Sequence, residues 1–325
     1  MDKPFSALSP DVILDSLQGV GLFPDGRLLA LNSYENRVYQ AGMEEGPPLV
    51  VKYYRKDRWT DEAILEEHGF VEALFDREIP VVPALKMKGG TLHAFGDFRF
   101  SVFEKRGGRA PDLDREDTLE WIGRFLGRIH AVGYLESYKT RPPLDIETFG
   151  YEPMDYLLSS GFIPPELAEP YACAVRLALQ GAVRSFERAG EYRPLRLHGD
   201  CHSGNLLWTE KGPHFVDFDD SRMGPAVQDL WLLLSGDRTE MTQQLLKVLS
   251  GYEDFCDFDS RQLHLVEALR TLRLIHYSAW IARRWEDPAF PMAFPWFGTG
   301  RYWQDRILEL KEQVSLMDEP PLLHS

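Results

Sequence analysis

Apolar positions follow one rhythm in the first third of the chain and another in the rest. Ser9, then Pro10, then apolar residues at helical spacing predict a short capped helix reaching Val20. Strand-like runs follow at Leu28–Leu31 and Arg37–Gln40, joined by a polar link from Asn32 to Asn36. Gly46-Pro47-Pro48 turns the chain into Leu49–Tyr54, rich in β-branched and aromatic residues. Thr60 to Phe75 has helical period, with Ile64, Leu65, Phe70, Val71 and Leu74 toward a core. Two more strands are expected near Thr91–Phe95 and Phe98–Glu104, and Lys105 to Arg109 reads as a connector. Helical rhythm then dominates. An amphipathic helix is expected from Asp114 to Val132, with Leu119, Ile122, Phe125, Leu126 and Ile129 on one side. Only two short strands interrupt the rest, near Leu206–Thr209 and His214–Asp217. The expected fold class is α+β and bilobal: a small antiparallel sheet with one helix over residues 1–104, and a larger, mainly helical lobe over residues 105–325.

Composition narrows the partners. Hydrophobic residues at 44% and charged residues at 27% suit a globular protein and argue against disorder. The net charge of −15 repels phosphate backbones and anionic lipid, so neither nucleic acid nor membrane is expected as a partner. It also repels ATP, so a nucleotide site needs local basic groups or metal ions. The three cysteines, Cys173, Cys201 and Cys256, fit no zinc spacing and read as free thiols in a reducing compartment. Met1 to Leu17 shows no basic stretch followed by an apolar run, and Leu230–Leu234 is far too short to span a bilayer. A cytoplasmic monomer is the expectation.

The chemistry lies in the second half. His198-Gly199-Asp200, then Asn205, then Asp217-Phe218-Asp219 across an expected hairpin combine a proton acceptor with hard oxygen donors. Phosphoryl transfer needs an oriented acceptor hydroxyl and neutralised phosphate charge, and little covalent help. Asp200 suits the first task; Asn205 and Asp217 suit magnesium. The offset from Asp200 to Asn205 is that of the protein-kinase pattern H-R-D-x-x-x-x-N, and Asp217 stands where the D-F-G acid follows. An ordinary polar loop also favours Asp, His and Asn; the ordered set with strand, turn and strand between its parts is what points to a protein-kinase-like fold. At the nucleotide end, Lys52 closes a strand and requires an acidic partner from the next helix. Glu67 leans toward the buried side marked by Phe70, Val71 and Leu74, whereas Glu66 reads as solvated. No glycine-rich loop covers the phosphates; Asn32 to Asn36 takes its place, with Ser33 and backbone amides as phosphate contacts. Phe103 to Arg106 falls where a hinge belongs.

These strings resemble a known family. His198 to Asn205, Val216 to Asp220 and Gln228-Asp229-Leu230-Trp231 are similar to the aminoglycoside phosphotransferase and choline kinase superfamily. Asn32 to Tyr39, Arg58-Trp59-Thr60, Gly224 to Trp231 and Arg284 to Pro291 resemble its stress response kinase A branch, taken to be bacterial Ser/Thr protein kinases, over about Phe5 to Leu322. The resemblance implies ATP and Mg2+ as cofactors and a protein Ser/Thr acceptor. It implies Asp200 as catalytic base, Asp217 as the catalytic metal-binding acid with Asn205 beside it, and Ser33 as an ATP contact. Asp229 becomes the buried acid that accepts backbone hydrogen bonds from the catalytic loop. A kinase of small alcohols such as an aminoglycoside, choline or homoserine uses the same residues. A pseudokinase is disfavoured by the intact Lys52, Asp200, Asn205 and Asp217.

Some residues carry lesser expectations. His202 either touches the γ-phosphate or caps its loop, and His198 is expected to pack. Cys201 is expected to be buried and inert. Most aromatics of the last third, from Tyr277 to Trp303, are expected to pack helices, with an acceptor wall as the alternative. Gly199 replaces the Arg of H-R-D that reads activation-loop phosphate, so no such switch is expected.

Overall fold

The strand runs near the start of the chain pair into one antiparallel sheet. The computed structural model describes residues 4–115, 117–210 and 212–323. The strands are β1 (Pro24–Leu31), β2 (Arg37–Met43), β3 (Leu49–Tyr53), β4 (His93–Phe95) and β5 (Phe98–Glu104), in the order β1-β2-β3-β5-β4. Helix α1 (Pro10–Gly19) starts as the sequence predicts, with the Ser9 hydroxyl accepting from the Val12 amide at 3.3 Å. Its Ile13 and Leu17 pack with Val51, Tyr53, Phe100 and Val102 on one face of the sheet. Because side chains alternate along a strand, Lys52 between Val51 and Tyr53 is sent to the opposite face. Helix α2 (Asp61–Phe75) is capped by Thr60, whose hydroxyl accepts from the Ala63 amide at 3.2 Å.

These elements belong to the first of two compact bodies, made of Met1–Asp112, Tyr138–Arg141 and His202–Ser221. The hairpin of Leu206–Thr209 and Gly212–Phe215 is part of it. The second hairpin strand lies two residues earlier than the pattern suggests. The Phe215 amide donates to the Pro80 carbonyl at 2.8 Å, and Trp208 bridges to Arg109.

The second body comprises Leu113–Ser137, Pro142–Cys201 and Arg222–Ser325. It contains α3 (Thr118–Gly133), α4 (Glu152–Ser159), α5 (Pro165–Ala189), α6 (Val227–Trp231), α7 (Arg238–Tyr252), α8 (Val266–Ala282), α9 (Ala289–Ala293) and α10 (Gly300–Leu316). Helix α3 begins at Thr118 rather than at Asp114; Glu116, inside the expected span, lies outside the described residues. Helices α3 and α7 touch backbone to backbone. A Cβ at Gly123 would sit 2.0 Å from the Val248 carbonyl oxygen, and one at Gly127 2.4 Å from that of Tyr252. The main core of this body joins α4, α5, α8 and α10, and Phe290, Phe297 and Trp303 are fully buried in it, as the packing reading expects. The fold is thus mixed α+β, a five-stranded antiparallel sheet with a larger helical part. Among the described residues, no helix is long and apolar enough to cross a membrane.

Candidate active site

In the second body the backbone at His198 and Gly199 is held by a buried acid. The carboxylate of Asp229, on α6, accepts from the amides of His198 at 2.7 Å and Gly199 at 2.8 Å. This is the clamp the resemblance implies for Asp229. The same carboxylate lies 3.0 Å from Nε2 of His130 on α3, and Nδ1 of His130 is 2.8 Å from the Tyr252 hydroxyl on α7. With Nε2–H donated to Asp229, Nδ1 is an acceptor facing the Tyr252 hydroxyl, which also lies 3.4 Å from Cys256 Sγ. Burial pushes the Tyr252 phenol well above its ordinary value, keeping it a donor. The glycine contacts between α3 and α7 bring His130 and Tyr252 to this distance. Sequence reading missed both residues, because their role depends on a helix crossing.

Gly199 has φ of +90°, a backbone state that L side chains rarely adopt. An arginine at this position, as in H-R-D, would be strained in that backbone state. Gln228 Nε2 donates to the Gly199 carbonyl at 3.2 Å. His198 is fully buried and its Nδ1 accepts from the Asp200 amide at 3.3 Å, so it packs as expected. Asp200 keeps a partly exposed carboxylate, and its Oδ1 lies 2.8 Å from the Arg273 guanidinium on α8. Cys201 is buried, which pushes its thiol well above the ordinary value and leaves it inert.

In the first body two acids, Asp217 and Asp219, gather around Lys52. Its Nζ lies 2.8 Å from Asp217 Oδ1 and 3.1 Å from Asp219 Oδ1. Burial by itself would lower the Lys52 ammonium, but Asp217 and Asp219 outweigh it and hold the group well above its ordinary value. Asp219 is also paired with Arg58 and accepts from Asn36 Nδ2 at 3.2 Å. Burial would raise its carboxyl; Arg58 and Lys52 bring it down to about 2. Arg58 reaches further, to Asp220 at 2.7 Å and Glu35 at 3.5 Å.

The expected Lys52–Glu67 pair is not made. Glu67 is buried, and its ion-pair partner is Arg141, at 3.7 Å. Burial raises its carboxyl to about 7, against the pull of Lys52 and Arg141. Arg141 also donates to the carbonyls of Ala63, Asp219 and Ser221, so it ties α2 to the Asp217 turn. Arg58 thus serves the side chains of both Asp219 and Asp220, while Arg141 holds the backbone beside them; the sequence reading gave neither arginine this role. Glu66 is not simply solvated. It accepts from the amides of Lys139 and Thr140, at 2.8 and 3.0 Å.

The loop from Asn32 to Asn36 is stiffened by arginines instead of loosened by glycines. Arg37 donates to the Tyr34 and Asn36 carbonyls, and Arg55 to those of Glu35 and Tyr34. Half-buried Ser33 sits in this loop. Asp217 itself has φ of +62°, a left-handed state costing about 1–2 kcal/mol in a non-glycine residue. Its neighbour Val216 donates to the Asn205 carbonyl at 3.1 Å, which sets Asn205 beside the Asp217 strand end. His202 accepts from the Gly204 amide at 3.0 Å and so caps its loop.

The donor set fits a hard divalent cation. Asp217 presents a carboxylate that is 54% exposed, and Asn205 adds an amide oxygen. Among the described residues, no group of three His, Cys, Asp or Glu forms a self-sufficient metal cage. That suits an ion completed by phosphate oxygens and water rather than by protein alone.

Comparison with known proteins follows the same line. The model of the phosphotransferase enzyme family matches residues 27–266. Stress response kinase A of Escherichia coli (strain K12) is 44% identical over 318 residues, covering 98% of this chain and 96% of the relative. The serine/threonine protein kinase RdoA of Salmonella typhimurium (strain LT2) is 41% identical over the same shares. Among solved structures, the amicoumacin kinase hAmiN in complex with AMP-PNP, Ca2+ and Ami superposes with a TM-score of 0.73 at 20% identity, over 96% of this chain and 94% of that one.

Proposed function

The chain belongs to the phosphotransferase enzyme family, in its stress response kinase A branch, and from this premise we propose that it is an ATP-dependent serine/threonine protein kinase. The observation that carries this reading is the Lys52–Asp217 contact at 2.8 Å, which joins the phosphate-binding cation to the metal-binding acid. The name of one relative, a serine/threonine protein kinase, supports a protein acceptor. We assign residues 1–104 to nucleotide binding and residues 105–325 to catalysis and acceptor binding.

Each residue then has a task. Lys52 pairs with phosphate oxygens of ATP, and Ser33 and its loop contact them from the β1–β2 turn. Glu67 restrains Lys52 electrostatically, with Arg141 sharing its charge. Asn205 and Asp217 would hold Mg2+, which would neutralise charge on the phosphates when bound. Asp200 orients the acceptor hydroxyl and takes its proton. The acceptor oxygen forms a bond to the γ-phosphorus, the bond from that phosphorus to the β–γ bridging oxygen breaks, and ADP leaves. The Asp229 clamp keeps the Asp200 backbone from shifting as charge moves.

Replacing Asp200 by Asn should lower transfer by about 10²- to 10⁴-fold, the usual share of a general base, with ATP affinity nearly unchanged. Radiolabelled ATP with generic protein substrates, beside a panel of small alcohols, reads this out. Phosphate transfer confined to a small alcohol would overturn the protein-kinase reading, and unchanged turnover in the Asn variant would remove Asp200 as base.

A further inference from the structure

The base of the second body has a partner that the reaction itself does not require. Arg273, on α8, places Nη1 2.8 Å from Asp200 Oδ1. A guanidinium carries five N–H donors in a planar fork and binds carboxylates in pairs of bonds. One Asp200 oxygen leaves much of that fork available, and the Arg273 side chain is 42% exposed.

The same face of α8 continues as an aromatic ledge. Positions 273, 277, 280 and 284 are spaced by four, three and four residues, which aligns them on one side of a helix. Tyr277 and Trp280 stack with centroids 5.7 Å apart and planes 17° from parallel. The Arg284 guanidinium lies over Trp280, 5.4 Å from its centroid. Tyr277 is 36% exposed, so the core has not absorbed it. Arg283, exposed, stacks on Tyr156 of α4 at 4.9 Å. From Arg273 to Trp280 the ledge is about 10 Å long, the reach of roughly three residues of extended chain.

A chain of net charge −15 repels acidic segments at long range. Arg273, Arg283 and Arg284 are the local cations along this ledge that an acidic segment would need. The ledge matches an acceptor in charge as well as in length. We propose that Arg273 is a specificity residue that binds a carboxylate on the acceptor next to the phosphorylated hydroxyl, so that the acceptors are acidic peptide segments lying along the α8 ledge. This rests on the protein-kinase reading above. Arg273 then does two things: it holds Asp200 before the acceptor arrives, and it reads an Asp or Glu side chain once the acceptor is in place.

The test uses the full chain, Mg·ATP and three sets of Ser peptides, flanked by Asp and Glu, by Ala and Gln, or by Lys. Acidic flanks should lower KM about tenfold to a hundredfold against neutral ones, the range of a hydrogen bond to a charged group. Arg273→Glu should abolish that preference and favour the Lys-flanked set. Arg273→Lys, which keeps the charge but loses the fork, should retain part of it. Trp280→Ala, which does not touch the base, should raise KM for acidic peptides several-fold with little change in kcat. If Arg273 only positions the base, its variants will lower kcat equally for all three sets, and the inference fails. It fails also if wild-type protein phosphorylates the sets equally. Transfer to a small alcohol with none to any peptide defeats the protein-kinase reading itself, and the inference with it. Thermal melts of each variant identify any loss caused by unfolding.

Discussion

Asp219 in the first body and Asp229 in the second are both buried, yet they are held in opposite ways. Asp219 is surrounded by side chains: Lys52, Arg58 and Asn36. Asp229 accepts from two backbone amides and from His130. Long cationic side chains can re-pair when a polyphosphate arrives, and Arg58 already has three acidic partners. Backbone amides have no such freedom. The first arrangement suits a site that exchanges charge with a ligand; the second suits a support that must not move. Burial alone does not distinguish a structural acid from one near the chemistry. The kind of partner does.

The contrast can be broken at its rigid end first. Asp229→Ala leaves two buried amides and His130 without their acceptor, and should destabilise the fold by about 3–5 kcal/mol. A denaturant midpoint close to wild type would show that the catalytic loop holds itself. The next effect concerns pH. The Glu67 carboxyl titrates near 7 in the folded chain against 4.5 for the ordinary group. The folded state therefore holds more protons than the unfolded one between these values, and stability falls as pH rises from 4.5 to 7. The loss should be up to about 3 kcal/mol, and Glu67→Gln should flatten the curve, as melts across that window would reveal. Asp219→Ala should be milder, about 1–2 kcal/mol, because Lys52 keeps Asp217 and Arg58 keeps Asp220 and Glu35. Its larger signature should be a raised KM for ATP. A stability loss equal to that of Asp229→Ala would erase the distinction between the two acids. The smallest expected effect is none at all. Phosphatase treatment, checked by mass spectrometry, should leave the transfer rate unchanged, since Gly199 offers no phosphate reader.

Much of this molecule was legible beforehand. Strands β2 to β5 follow from runs with β-branched or aromatic residues bounded by turns, and the starts of α1 and α2 from Ser9 and Thr60; β1, PDGRLLAL, has neither residue type and begins at Pro24, four residues before the expected run. Local patterning suffices for β2 to β5 and the two helix starts because caps and pleats are nearest-neighbour effects. Helix α3 starts later than its pattern predicts, since Asp114 to Asp117 offer several acidic starting points and no side-chain cap decides between them. Glu67 shows the other kind of miss. Its helix and its buried side follow from the pattern, but its ion-pair partner is Arg141, far along the chain, and no spacing rule reaches that distance.

The sequence by itself determined the reaction class, because Asp200, Asn205 and Asp217 lie on one short stretch whose offsets encode their order. It also determined that Asp229 would serve the catalytic loop, through likeness to a family. Only the tertiary structure decided what holds these groups: the helix crossing that brings His130 and Tyr252 to Asp229, Arg58 and Arg141 around the Asp217 turn, and Arg273 on Asp200. Those choices depend on which distant side chains the packing brings within a few ångströms, and Coulomb and hydrogen-bond energies fall away too steeply for sequence spacing to foretell them.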